Sequence, residues 1–150
     1  MENFLNKQTF ITKSADETIE LAMDIAKNAK SGTVFCLNGE MAAGKTHFAK
    51  GFAKGLGIKE DITSPTFNIH NMYEYERGVL NHFDFYRIDE EAAIDLDLDE
   101  YFGKEGHICL IEWGENIKSL IPSNAIEIKI DKIGESERKI GVKKYNFSHT

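Results

Sequence analysis

Residues 39 to 48, GEMAAGKTHF, have the residue types and the spacing of a phosphate-binding loop. Gly39, Gly44, Lys45 and Thr46 satisfy the pattern G-x-x-x-x-G-K-[ST], known as Walker A. The glycines permit backbone conformations and close approaches that a side chain would block, so successive N–H groups can face one anion. The lysine adds a positive charge, and the threonine hydroxyl is a ligand suited to Mg²⁺. The segment therefore predicts a site for a nucleotide phosphate.

The segments on either side of this loop occur in the order that such a site requires. The preceding run TVFCL, residues 33 to 37, is typical of a buried strand. Phe48, Phe52 and Leu56 then recur at helical spacing and predict a helix over residues 46 to 56, whose positive dipole end favours an anion. We expect the whole segment to bind the nucleotide: Gly39, Glu40, Met41, Ala42, Ala43, Gly44, Lys45, Thr46 and His47.

The rest of the chain alternates helical and β-prone segments. The predicted elements are a helix over residues 15 to 30, a hairpin of strands 66 to 75 and 79 to 84, two short acidic helices within 89 to 100, a buried strand over 107 to 111, a short helix over 116 to 120, and two terminal strands over 125 to 130 and 138 to 145. They predict an α/β protein with the three-layer P-loop NTPase fold. Its central mixed sheet has a parallel core and antiparallel edge strands, is flanked by helices, and forms one domain over residues 1 to 150.

Two acidic residues stand at the ends of predicted strands. If strand 79 to 84 runs parallel to the strand before the loop, Asp84 lies at the edge of the sheet that carries the loop. The start of the antiparallel strand 66 to 75 would then bring the hydroxyl-rich stretch Ser64-Pro65-Thr66 to the same edge, and strand 108 to 111 would bring Glu112 there. A carboxylate near Mg²⁺ can ligate it, hold one of its waters or orient an attacking water. The sequence does not divide these roles between Asp84 and Glu112.

The composition is that of an ordinary soluble globular protein, with 41% hydrophobic and 29% charged residues. A net charge of −7 disfavours nonspecific binding to nucleic acid or to an anionic membrane, so a partner would have to hold any RNA. No apolar stretch is long enough to cross a bilayer and the N-terminus lacks a signal-peptide core, so we expect a cytoplasmic protein. Seven of the twelve residues from 89 to 100 are acidic, which is typical of a solvated surface or of docking to a basic partner.

Four motifs, GEMAAGKT, SPTF, HFDFYR and IEW, together resemble the TsaE (YjeE) family of bacterial P-loop ATPases in order and approximate spacing. The resemblance covers nearly the whole chain. It implies an Mg²⁺-dependent ATPase, slow when isolated, that uses ATP and acts with the proteins TsaB and TsaD in forming N6-threonylcarbamoyladenosine in tRNA. ATP hydrolysis would reset the TsaB/TsaD complex for repeated turnover, and tRNA would be reached only through these partners.

The resemblance also implies roles for single residues. Lys45 and the N–H groups of the loop would bind phosphate, Thr46 and Glu112 would hold Mg²⁺, and Asp84 would be the acid needed for hydrolysis, close to the metal. Ser64, Pro65 and Thr66 are similar to a switch segment that senses the nucleotide or the partner, and Thr66 is among the implied nucleotide contacts. The resemblance further implies that Arg138 contacts the nucleotide and that Glu17 and Thr18 approach the adenine.

The chain departs from the family pattern at two loop positions. Ala42 stands where the family usually has glycine, and a negative φ would let it join the cradle with slightly altered nucleotide affinity. His47 stands where a second threonine is common, and it either packs or faces solvent, or adds a pH-dependent positive charge near the phosphates. We interpret His82 as ordering the site beside Asp84, and Trp113 as either core packing or a wall of the nucleotide pocket.

Two other functions remain open at this point. A small GTPase-like switch would place a switch segment and an acid in similar positions, but DFYR lacks the glycine of D-x-x-G and no N-K-x-D motif follows the loop. A small-molecule kinase usually needs a basic lid, whereas the segment after Asp84 is acidic.

Overall fold

A computed structural model describes residues 7–40, 44–63, 65 and 69–144. The strands are β1 (Gln8–Thr12), β2 (Val34–Gly39), β3 (His70–Tyr75), β4 (Gly78–Asp84), β5 (His107–Glu112), β6 (Ile126–Lys132) and β7 (Arg138–Lys144). The α-helices are α1 (Ala15–Lys27), α2 (Lys45–Leu56) and α3 (Glu90–Ile94), and 3₁₀ turns cover Leu98–Glu100 and Gly114–Leu120.

The seven strands form one sheet in the order β1-β7-β6-β2-β5-β4-β3. The four central strands, β6, β2, β5 and β4, run parallel to one another. The outer strands β7 and β3 are antiparallel to their inner neighbours, and β1 is antiparallel to β7. This mixed α/β sheet flanked by helices confirms the predicted fold class.

Helices cover both faces of the central strands. Along β2, Phe35 and Leu37 point to the face that carries α1 and α2, whereas Val34 and Cys36 point to the opposite face, where α3 and the 3₁₀ turns pack. All four side chains are buried, so β2 lacks the apolar and polar alternation of a one-sided strand. The strand before the loop is therefore fixed from both sides.

Helices α1 and α2 pack closely through two glycines of α2. A Cβ at Gly51 would lie 2.4 Å from the carbonyl oxygen of Ile19, and one at Gly55 would lie 2.5 Å from that of Met23. Both distances are shorter than real Cβ contacts, so any side chain at these positions would force the helices apart. This packing sets the position of α2, and with it the end of the loop.

Element boundaries depart from the predicted ones in several places. Helix α1 ends at Lys27, and not near residue 30, because the Asn28 side chain donates to the Asp24 carbonyl at 2.8 Å and closes the last turn. In the acidic segment only 90–94 is α-helical, and the second piece is a 3₁₀ turn. Strand β1 was not predicted, and β3 begins at His70 within the described residues.

Among the described residues, no helix is long and apolar enough to cross a membrane.

Candidate functional site

The N-terminus of α2 differs from those of the other two α-helices. Helices α1 and α3 have side-chain caps, Ser14 and Asp89, and acidic residues in their first turns. Helix α2 follows Gly44, which has a φ of 105°, provides no capping side chain, and precedes a first turn without acidic residues. A left-handed φ of this kind favours glycine, which explains Gly44 in the motif. The positive end of α2 is thus neither capped nor neutralised by a side chain of its own first turn.

A cavity of about 450 Å³ lies beside the start of α2. Its lining combines the helix start with the ends of β4, β5 and the beginning of β7. The lining residues are Gly44, Lys45, Thr46, His47, Asp84, Tyr86, Glu112, Trp113 and Arg138. The cavity therefore brings together most of the described residues that the sequence predicts for one site.

Strand register places the two carboxylates next to each other. Asp84, the last residue of β4, pairs with Glu112, the last residue of β5, and Glu112 pairs with Leu37 of β2. Because β4, β5 and β2 are parallel, their carboxyl ends meet at the edge from which the chain enters the loop. The prediction for Asp84 requires strand 79–84 to run parallel to the strand before the loop, and β4 and β2 do run parallel.

Glu112 is buried and is contacted on both carboxylate oxygens. Its Oε2 lies 2.8 Å from His82 Nε2, and its Oε1 lies 3.9 Å from Lys45 Nζ. His82 is only 1% exposed. The sequence placed His82 beside Asp84, whereas the structure adds a direct contact with Glu112.

Asp84 is half-buried, and its carboxylate accepts a hydrogen bond from the Tyr86 backbone N–H at 3.0 Å. Burial raises the pKa of the Asp84 carboxyl, and the nearby Glu112 charge raises it further. The Tyr86 N–H, His82 and Lys45 act in the opposite direction without cancelling the rise. A carboxylate with a raised pKa beside a cavity is suited to accept a proton or to hold a water.

Aromatic side chains form part of the cavity wall. Trp113 adopts a left-handed backbone with φ 62°, and its ring centre lies 5.3 Å from Lys45 Nζ. The rings of Tyr86 and Trp113 are 4.9 Å apart. Trp113 lines the cavity and also packs against the buried cluster that contains Ile111 and Ile117, so its position fits both interpretations. Tyr86 was not predicted as a site residue, although it lies two positions after Asp84 in the HFDFYR stretch.

Arg138 lines the cavity and lies beside the start of α2. A Cβ at Gly44 would lie 3.6 Å from Arg138 Nε. The guanidinium is oriented by its own turn, since Nη1 donates to the Glu137 carbonyl at 3.0 Å. His47 is exposed and also lines the cavity.

Other predicted positions lie elsewhere or outside the described part of the chain. Gly39 ends β2 and Glu40 is exposed, and neither lines the cavity. At the start of α1, the Glu17 carboxylate accepts from the Lys13 N–H and the Thr18 hydroxyl lies 2.7 Å from that of Thr12. Their approach to an adenine stays a prediction. Four predicted nucleotide contacts and one switch residue are outside the described residues: Met41, Ala42, Ala43, Thr66 and Ser64.

Comparison with known proteins gives one consistent family. A family model described as "Threonylcarbamoyl adenosine biosynthesis protein TsaE" matches residues 12–140. Two similar proteins are each named tRNA threonylcarbamoyladenosine biosynthesis protein TsaE. The one from Bacillus subtilis is 45% identical over 86% of this chain and 80% of its own length. The one from Treponema pallidum is 38% identical over 88% of this chain and 97% of its own length. A crystal structure of Bacillus subtilis YdiB superimposes with a TM-score of 0.77 at 37% identity, covering 94% of this chain and 88% of the other.

Proposed function

We propose that this chain, which belongs to the TsaE family, binds and hydrolyses Mg²⁺-ATP as a subunit of the machinery that forms N6-threonylcarbamoyladenosine in tRNA. Hydrolysis would reset a complex of the partner proteins TsaB and TsaD for repeated turnover. One observation carries the proposal: the start of α2, Lys45, Asp84 and Glu112 share one cavity of about 450 Å³. That volume lies within the range of about 300–1,000 Å³ that is usual for small-ligand sites.

Phosphate binding rests on the described end of the loop. The first backbone N–H groups of an α-helix have no partner within the helix, and those of α2 lack a side-chain cap. Lys45 is oriented by Glu112 and by the Trp113 ring, so its ammonium already lies in the cavity. A phosphate at this position would receive N–H donors, a helix dipole and one full positive charge.

The donor set fits Mg²⁺ that arrives with a nucleotide. Asp84, Glu112 and Thr46 supply hard oxygen atoms around the cavity, which is the ligand chemistry that Mg²⁺ prefers. Among the described residues, no cluster of three or more His, Cys, Asp or Glu side chains could hold a metal ion. Mg²⁺ is commonly held by one or two carboxylates, waters and substrate phosphates, so such a cluster is not required. When bound, the ion would neutralise charge on the phosphates.

Asp84 is our candidate for the residue that orients the attacking water and accepts its proton. It faces the cavity, and the Tyr86 N–H fixes one of its oxygens. Glu112 is less suited to this role because His82 and Lys45 contact both of its oxygens. We therefore assign proton transfer to Asp84 and cation binding to Glu112 and Thr46. Asp84, which pairs with Glu112 in the sheet and lines the same cavity, would contribute to the metal site as well.

A nucleotide titration tests the proposal directly. Fluorescence of Trp113, the single tryptophan of the chain, reports on the cavity wall when ADP, ATP or GDP is added with and without Mg²⁺. We expect adenine nucleotides to bind more tightly than GDP, with slow Mg²⁺-dependent release of phosphate from ATP. Comparable affinity for GDP and ADP would contradict the ATPase, and transfer of phosphate from ATP to a small metabolite would indicate a kinase.

A further inference from the structure

The His82 side chain makes one hydrogen bond among the described residues, and that bond is to Glu112. Its Nε2 lies 2.8 Å from Glu112 Oε2, whereas Nδ1 is buried and has no hydrogen-bond partner in the described part of the chain. Buried polar atoms are normally paired. The pairing that this side chain makes in the described part of the chain is with a carboxylate at the edge of the cavity.

Strand register accounts for this contact. His82 lies two residues before Asp84 on β4, so both side chains are on the same face of that strand. Asp84 pairs with Glu112 on β5, and His82 reaches Glu112 diagonally across the two strands. His82 therefore contacts Glu112 from inside the protein, and His82 itself is not part of the cavity lining.

The two oxygens of Glu112 therefore face different surroundings. Oε2 is held by His82 inside the protein, and Oε1 is 3.9 Å from Lys45 Nζ in the cavity. A phosphate that attracts the Lys45 ammonium would leave Oε1 for a cation, while the His82 contact would keep the carboxylate in place.

We infer that His82 is a positioning residue that donates from Nε2 to Glu112 Oε2 and thereby presents Oε1 to the Mg²⁺ of a bound nucleotide. This inference rests on the proposed function. Groups that orient the ligands of a metal typically change metal affinity by about 10- to 100-fold when they are replaced. His82 acts through Glu112 and touches neither the nucleotide nor the reacting atoms.

Two measurements on the full chain test this role. In the nucleotide-free protein, ¹⁵N NMR of the His82 ring should show a protonated Nε2 and an unprotonated Nδ1, and Glu112→Gln should perturb the Nε2 signal. In the second, ADP binding is measured at increasing Mg²⁺ and in EDTA, for wild type, His82→Leu and His82→Gln. The glutamine variant is the matched control, because its amide N–H can replace the Nε2 donor.

We expect His82→Leu to raise the Mg²⁺ concentration needed for tight ADP binding by about 10-fold or more. His82→Gln should restore most of the Mg²⁺ response. The affinity for ADP measured in EDTA should be the same in all three proteins. Equal Mg²⁺ dependence in wild type and His82→Leu, or a ring protonated on Nδ1 alone, would overturn the positioning role only. Equal losses with and without Mg²⁺ would also overturn it and would indicate a structural role. Wild-type ADP affinity that does not respond to Mg²⁺ would instead overturn the proposed function, and the metal role of Glu112 with it.

Discussion

Lys45 Nζ lies 3.9 Å from Glu112 Oε1, so the first residue of α2 and the last residue of β5 are in contact across one cavity. Exposed ion pairs contribute little, about 0–1 kcal/mol, but both of these side chains are largely shielded from solvent. In the proposed function each charge has a different final partner: phosphate for the lysine and Mg²⁺ for the glutamate. The contact keeps both groups oriented in the nucleotide-free protein.

Lys45→Ala should weaken ATP and ADP binding by about 10- to 100-fold, because it removes a charge-assisted hydrogen bond to phosphate worth about 1.5–3 kcal/mol. Calorimetric titration measures the change. Lys50→Ala is the control, since Lys50 is on the same helix but exposed and outside the cavity. Equal affinities in wild type and Lys45→Ala would remove the loop from nucleotide binding.

Asp84→Asn should reduce ATP hydrolysis by about 10²-fold or more while changing ADP affinity much less, because a positioned general base typically contributes about 10²–10⁴-fold to the rate. The amide keeps the shape of the side chain and an acceptor for the Tyr86 N–H. Phosphate release is measured with the partner proteins present, and Asp131→Asn, an exposed change on β6, serves as the control. Unchanged turnover in Asp84→Asn would exclude this residue from the mechanism.

The same substitution should make the folded protein more stable at neutral pH. Burial raises the pKa of the Asp84 carboxyl above its ordinary 3.8, and Glu112 raises it further, so the folded state favours the protonated form. The stability that Asp84 contributes is complete below pH 3.8 and is lost as the pH rises through the raised folded-state pKa. Urea unfolding across this range should show an advantage of Asp84→Asn that is largest near neutrality and shrinks in acid. An advantage that grows in acid would contradict the direction of the shift.

Gly51→Ala and Gly55→Ala should each destabilise the protein. Helix propensity alone would give a gain of about 1 kcal/mol for replacing glycine with alanine. The added methyl would, however, lie 2.4 Å from Ile19 O or 2.5 Å from Met23 O, and overpacking typically costs about 1–3 kcal/mol. Urea unfolding gives the sign, with Gly134→Ala as the control, because its methyl would first meet the side chain of Glu137. A stabilised Gly51→Ala would show that α1 and α2 can separate at no cost.

The local elements around the loop could be predicted because their signals are short-range. The spacing of Gly39, Gly44, Lys45 and Thr46 gave the junction of β2 and α2, and the helical spacing of Phe48, Phe52 and Leu56 gave the buried face of α2. Strand β1 has only five residues, with alternating rather than continuous burial, and was missed. Its pairing with β7 depends on contacts between the two ends of the chain, which local patterns do not encode.

The candidate site was harder to predict because its contacts cross strands. Asp84 and Glu112 could be brought together only on the condition that β4 and β5 are parallel. The contact of His82 with Glu112 joins residues 30 positions apart and depends on register, so the spacing of residues near Asp84 does not predict it. Tyr86 follows the strand and belongs to the site through its ring contact with Trp113, which no spacing rule predicts.

Multiple-turnover threonylcarbamoylation of tRNA, reconstituted with TsaB and TsaD, tests the central claim most directly. With the other components of the reaction present, product formed per partner complex is followed with Mg²⁺ and ATP for the wild-type chain, without it, and for Lys45→Ala, and with a non-hydrolysable ATP analogue for the wild-type chain. We expect repeated turnover only with the wild-type chain and hydrolysable ATP, and product limited to about one round per partner complex otherwise. Repeated turnover without this chain, or at the same rate with Lys45→Ala, would contradict the account.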